Sequence, residues 1–112
     1  MATIETENEV LLAFELIAPY LDIIMDHEAS LALTNCTEYL TNHPTPALPL
    51  KSKAGDIIPE GGAAYEAIRT GRTMIRDVPA HVYGVPFKSY SIPVMNVHGE
   101  VEGAVLIGKS LQ

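Results

Sequence analysis

The spacing of apolar residues changes period at residue 29, and that switch limits the chain to folds in which one long helix precedes a series of short strands. Before the switch, Val10, Phe14, Ile17, Leu21 and Ile24 follow a 4-3-4-3 spacing. Such spacing lines one side of a helix and satisfies two heptads of a coiled-coil seam, so these five residues are expected to pair two copies of the chain. Leu12, Leu16 and Ile23 widen the apolar surface, which lets the helix meet a sheet on one side and a symmetry mate on the other. Pro19 falls inside the pattern, where a missing donor and a crowded carbonyl predict a kink or a break into two helices. The acids are expected to fill the polar face.

After the switch, apolar runs are short and separated by turn residues. Ala29 to Thr34 and Glu38 to Thr41 read as a hairpin across Asn35-Cys36-Thr37. Prolines at 44, 46 and 49 make His43 to Leu50 an extended loop. Ala63 to Thr70 reads as a short helix, and Gly71 supplies the left-handed residue that ends it. Arg72 to Val78, Phe87 to Met95 and Val101 to Ile107 read as three more strands, the last two joined through Asn96 to Glu100. Sequential hairpins cannot be parallel. The expected fold is therefore α+β, a five-stranded antiparallel sheet with helices on one face, divided into an N-terminal helix at 1–28 and a sheet domain at 29–112.

Charge is distributed as unevenly as period. Seven acids precede residue 29 without a single Lys or Arg, whereas seven acids and seven bases follow it, so the net charge of −7 belongs to the N-terminal quarter. Without a basic stripe, neither nucleic acid nor an anionic membrane surface is an expected partner. The stretch from Val10 to Met25 is interrupted by Glu15, Pro19 and Asp22 and is too short to span a bilayer. A lone cysteine, Cys36, and an acidic start unlike a signal peptide predict a cytoplasmic protein.

Three stretches carry a recognisable pattern. The first is Gly55-Asp56, Ile58-Pro59-Glu60-Gly61, Ala63 and Tyr65-Glu66-Ala67-Ile68-Arg69-Thr70-Gly71. The second is Val82-Tyr83-Gly84-Val85-Pro86-Phe87-Lys88, and the third is Ile92-Pro93-Val94 with Gly99 and Gly103 beyond. Together they resemble the PAS-like sensor domain of soluble, cytoplasmic methyl-accepting chemotaxis transducers and related bacterial signalling proteins, over residues 29 to 110. The resemblance implies a PAS-like sheet that senses a small-molecule cue. It also implies a helical signalling region, or a signalling partner, acting downstream of the domain. Some PAS-like sensors bind haem through a histidine, a role for which His81 would be the candidate; the cofactor is left open.

Residues able to meet a ligand concentrate in the same half of the chain. Tyr65, Met74, Tyr83, Phe87 and Tyr90 would wall a cavity between sheet and connecting segments. Core packing is the plain reading of that cluster, and a small-molecule pocket is the functional one. Arg69, Arg72, Arg76 and Lys88 could meet a carboxylate, or could equally be a solvated edge. Gly84 is expected to be a bend, and Gly61-Gly62 lacks the spacing of a phosphate loop. His27, His43, His81 and His98 show no metal-ligand spacing, and Cys36 is expected to be a buried or inert thiol. No nucleophile elbow is present, so binding rather than catalysis is expected. The rival expectation is a dimerisation or scaffold module that binds no ligand.

Overall fold

The computed structural model describes residue 4 and residues 6–111; Glu5, one of the N-terminal acids, lies outside them. Its first element, α1 (Glu9–Ile24), starts where Asn8 caps it. Asn8 Oδ1 accepts from the amides of Val10 and Leu11 at 3.0 and 3.1 Å, satisfying two donors that a helix start leaves free. The other end of the same amide reaches the sheet, Nδ2 donating to Glu102 Oε1 at 2.7 Å and to the Met95 carbonyl at 3.5 Å. Of the expected kink or break into two helices, the break does not occur: the helix runs unbroken through Pro19, which is exposed.

The sheet that receives α1 has five antiparallel strands in the order β2-β1-β5-β4-β3. They are β1 (Ala29–Thr34), β2 (Tyr39–His43), β3 (Met74–Val78), β4 (Phe87–Met95) and β5 (Val101–Ser110). This is the expected α+β architecture, with shifted boundaries. β2 begins later, Glu38 making only an isolated bridge to Ile57; β3 begins at Met74; and β5 continues to Ser110. The β4–β5 hairpin closes where expected, Asn96 N donating to the Glu100 carbonyl at 2.9 Å and Gly99 adopting φ 79°. α2 (Ala63–Thr70) also stands as expected, ended by Gly71 at φ 70° whose amide donates to the Ala67 carbonyl.

Two features escape the sequence expectations. A single helical turn, α3 (Ala80–Tyr83), occupies the turn-rich stretch and ends on Gly84 at φ 92°. The proline-rich loop is not merely extended: Thr45 and Leu48 exchange backbone hydrogen bonds at 3.2 and 3.0 Å, and this turn drives Leu48 to complete burial. The helices also divide between the two faces of the sheet instead of sharing one. α1 covers one face, and α2, α3 and the loop border the other.

The core lies under α1. Leu11 and Ala18 are buried against Leu31 and Leu33 of β1, Val94 of β4 and Val105 of β5, with Phe14, Leu21, Ile92 and Ile107 packed around them. The five residues expected as a pairing seam are thereby split. Phe14 and Leu21 pack toward the sheet, while Val10, Ile17 and Ile24 face outward. Leu16, Tyr20 and Ile23 lie beside those three, so the outer face of α1 is apolar; Tyr20 is 67% and Ile24 72% exposed. Two of the helix's acids, expected on a solvated face, instead flank its sheet side. Glu15 Oε1 lies 2.7 Å from His43 Nε2 on β2, and Asp22 Oδ2 lies 2.6 Å from His27 Nδ1. A helix apolar on both faces is ordinarily covered on both.

One close approach sets how β1 leaves the sheet. A β-carbon at Gly103 would overlap the carbonyl oxygen of Thr34 and press on the backbone of Asn35. Gly103→Ala is therefore expected to lower unfolding free energy by about 3 kcal/mol, the upper end of overpacking costs, because backbone and not a flexible side chain must yield. Asn8→Ala is expected to lower it by about 1–2 kcal/mol through loss of the cap. Urea denaturation followed by circular dichroism measures both.

Candidate functional site

Alternation in the strands gives the sheet two unlike faces. Leu31, Leu33, Ile92, Val94, Val105 and Ile107 belong to the core under α1. The intervening positions are mostly small or polar, with Leu106, Phe87 and Val78 among the large apolar exceptions. Residues paired across antiparallel strands share a face, so the register assembles Ser30, Gly108, Ser89 and Arg76 into one row across β1, β5, β4 and β3. A second row runs Asn42, Ala32, Leu106 and Ser91.

These rows floor a cavity of about 390 Å³, within the range of small-molecule sites. Its walls and roof come from Tyr39, from the loop at Leu50, Lys51, Ser52, Ile58 and Pro59, from the start of α2, and from Val82, Tyr83 and Phe87. The floor is low because its residues are small. At Gly108 a β-carbon would meet Ser30 Oγ at 2.9 Å and the side chains of Leu48 and Phe87 at 3.3 Å, so the missing side chain is what lets those groups close in. Asn42 holds the roof, Nδ2 donating to the Leu50 carbonyl at 3.0 Å and the Ser52 carbonyl at 2.6 Å.

Polar groups in the cavity are largely uncommitted. Ser30 and Ser91 are 5% and 2% exposed, and among the described residues their hydroxyls have no hydrogen-bond partner. The two charged lining residues, Lys51 and Arg76, are both basic, and neither forms an ion pair among the described residues. Gly62 at the cap of α2 offers no side chain to the first-turn amides. The amides of Ala63 and Ala64, which border the cavity, have no acceptor among the described residues.

The residues expected to bind a ligand separate into three groups. Tyr83 and Phe87 line the cavity, their rings 5.8 Å apart and tilted by 49°. Tyr65, Arg69 and Met74 lie on the neighbouring α2–β3 segment without lining it. Arg69 is engaged elsewhere, its Nε and Nη2 donating to Glu66 at 3.0 and 2.7 Å. That hydrogen bond, assisted by the charges of Arg69 and Arg76, holds the Glu66 carboxyl below its ordinary range. Lys88 and Tyr90 alternate with the cavity residues and so share the α1 face, Lys88 Nζ standing 6.0 Å from the Tyr90 ring centre. Residues that sequence reasoning left out include Ser30, Ala32, Ser89, Ser91 and Gly108. Their signal was available as small residues at alternate strand positions, but only the register shows that they converge.

Other candidate chemistry is dispersed. His81 and His98 are exposed, and among the described residues no three His, Cys, Asp or Glu side chains gather as a metal site requires. Gly84 caps α3, its amide donating to the Ala80 carbonyl at 2.6 Å. Cys36 is exposed rather than buried, yet its thiol turns back onto β5, Sγ donating to the Val101 carbonyl at 3.3 Å. Partial desolvation there, with the charge of Glu102, raises its pKa and disfavours the reactive thiolate. No described helix is long and apolar enough to cross a membrane.

No protein-family model matches the chain. Over 113 residues the chain is 34% identical to a protein of Bacillus subtilis (strain 168) named "Putative sensory transducer protein YfmS". The likeness covers 98% of this chain and 40% of that protein, so the chain spans two fifths of the relative's length. The sequence surrounding the cavity and the long helix is thus similar to part of the protein that carries that name.

Proposed function

We propose that this chain is the sensor domain of a cytoplasmic signal-transducing protein of the methyl-accepting chemotaxis type. A small molecule in the cavity changes how α1 sits on the sheet, and α1 passes the change to a second copy and to a helical signalling region. The observation that carries this reading is the cavity itself, floored by small residues and open to the hydroxyls of Ser30 and Ser91, uncommitted among the described residues. Hydroxyls that line such a space can hydrogen-bond a guest with matching groups without breaking a bond inside the protein. The likeness to a sensory transducer supports the same reading. The role is binding and relay, not catalysis.

The relay follows from the sheet's two faces. Ser30, Ser91 and Leu106 meet the guest, while the adjacent Leu31, Ile92, Val105 and Ile107 lie under the helix. A strand displaced by the guest therefore moves a contact of Leu11 or Phe14. A tenfold preference for one packing of α1 shifts its population by about 1.4 kcal/mol, enough to change a near-balanced equilibrium. The second copy is supported by the outer face of α1, where Leu16, Ile17, Tyr20, Ile23 and Ile24 are exposed. A two-fold axis would set the same apolar face on each protomer against itself.

Small molecules that co-purify under native conditions, followed by thermal-shift titration, test the cavity. A stabilising compound is expected, and Ser91→Leu, which extends a side chain into the cavity, is expected to abolish its effect while keeping cooperative melting. Stabilisation unaffected by Ser91→Leu would place binding elsewhere. Sedimentation tests the helix. Tyr20→Glu or Ile23→Glu is expected to yield monomer with native circular dichroism. Raising salt from about 0.05 M to about 0.5 M is expected to strengthen association by screening the −7 charge on each copy. A dimer that survives both substitutions would remove α1 from the interface. A dimer with no stabilising compound would leave the ligand-free dimerisation module as the reading.

A further inference from the structure

We infer that the cavity selects a small organic carboxylate with an apolar body. The inference rests on the sensor reading above and narrows it to a chemical class. Every charged residue of the lining is basic, although the chain as a whole carries −7. Arg76 ends the floor row that begins at Ser30, and Lys51 stands in the roof. Between them the start of α2 borders the space with the unaccepted amides of Ala63 and Ala64, the end of a helix that favours negative charge. The buried Ser91 hydroxyl, also without a partner among the described residues, supplies a further donor.

The rest of the lining sets the polar Ser30, Asn42, Ser52 and Ser89 beside an apolar and aromatic wall that includes Val78, Leu106 and Phe87. Such walls suit an aliphatic or aromatic body, with the carboxylate directed to the guanidinium, ammonium and amide donors. A guanidinium is matched to a carboxylate by its planar pair of N–H groups, and the match is lost when the carboxylate becomes an amide. An ammonium ligand would meet two cations and no counter-charge.

The test is titration calorimetry of the whole chain with isovalerate, succinate, benzoate and phenylacetate, each beside its neutral amide, and with benzylamine as the cation. One or more carboxylates are expected to bind while the matching amide and benzylamine do not. Arg76→Gln and Lys51→Gln are each expected to weaken binding by about tenfold, the loss of one charge-assisted hydrogen bond. Lys109→Gln removes the same charge from the opposite face and is expected to leave binding unchanged. The carboxylate inference is overturned if an amide binds as tightly as its acid, or if Arg76→Gln and Lys51→Gln bind as the parent does. In that case Ser91→Leu still blocks binding, and the cavity reading stands. If no acid binds at millimolar concentration, the carboxylate inference is overturned, while the cavity reading is decided separately by the co-purified compounds and Ser91→Leu.

Discussion

A single buried amide fixes the geometry on which the two faces depend. Asn8 accepts from the first turn of α1 with its oxygen and donates to Glu102 and to the Met95 carbonyl with its nitrogen. The helix start is thereby set over β5 and the end of β4. From that point the helical period decides the rest: Leu11 and Ala18 descend into the core, and Tyr20 and Ile24 cannot follow them. Without such an anchor, a helix apolar on most of its circumference has several nearly equivalent ways to lie on a sheet. The cap selects one of them.

The sheet repeats this division at the level of single residues. Leu31, Leu33, Ile92, Val94 and Val105 face α1, whereas Ser30, Ala32, Ser89, Ser91 and Gly108 line the other side beside Leu106 and Phe87, and the strands themselves are shared. Gly103 and Gly108 do different work on the same strand. The first permits the backbone of β1 to pass, and the second permits side chains to close over a shallow floor. An alanine at either position meets different resistance, backbone in one case and mobile side chains in the other.

Elements governed by local signals were legible in the sequence. The 4-3-4-3 run gave α1, Gly71 marked the end of α2, and the turn at Asn96 to Glu100 joined β4 to β5. What stayed hidden required knowledge of neighbours. The orientation of α1 could not be read from a helix apolar on both sides, so Phe14 and Leu21 were grouped with Ile17 and Ile24 although the sheet separates them. The aromatic cluster divided for a related reason: Phe87 and Tyr90 are odd and even members of one strand and so face opposite sides. The serines were overlooked because Ser30 and Ser89 meet only through Gly108, a pairing that depends on strand order. Leu48 became core through a turn that its three flanking prolines do not announce.

The row of small residues has an evolutionary consequence. Each methylene added there would bury further apolar surface, worth about 0.8 kcal/mol where it fits. Random drift under selection for stability alone would therefore fill the space. Keeping Ser89 small leaves that space open, which the proposed sensor function requires, whereas Gly108 has no such room because a β-carbon there would already meet Ser30, Leu48 and Phe87. Hydrophobic substitutions at the open positions of this row are thus the ones a screen for thermal stability would select first, and under the proposed function they would gain stability at the expense of guest binding.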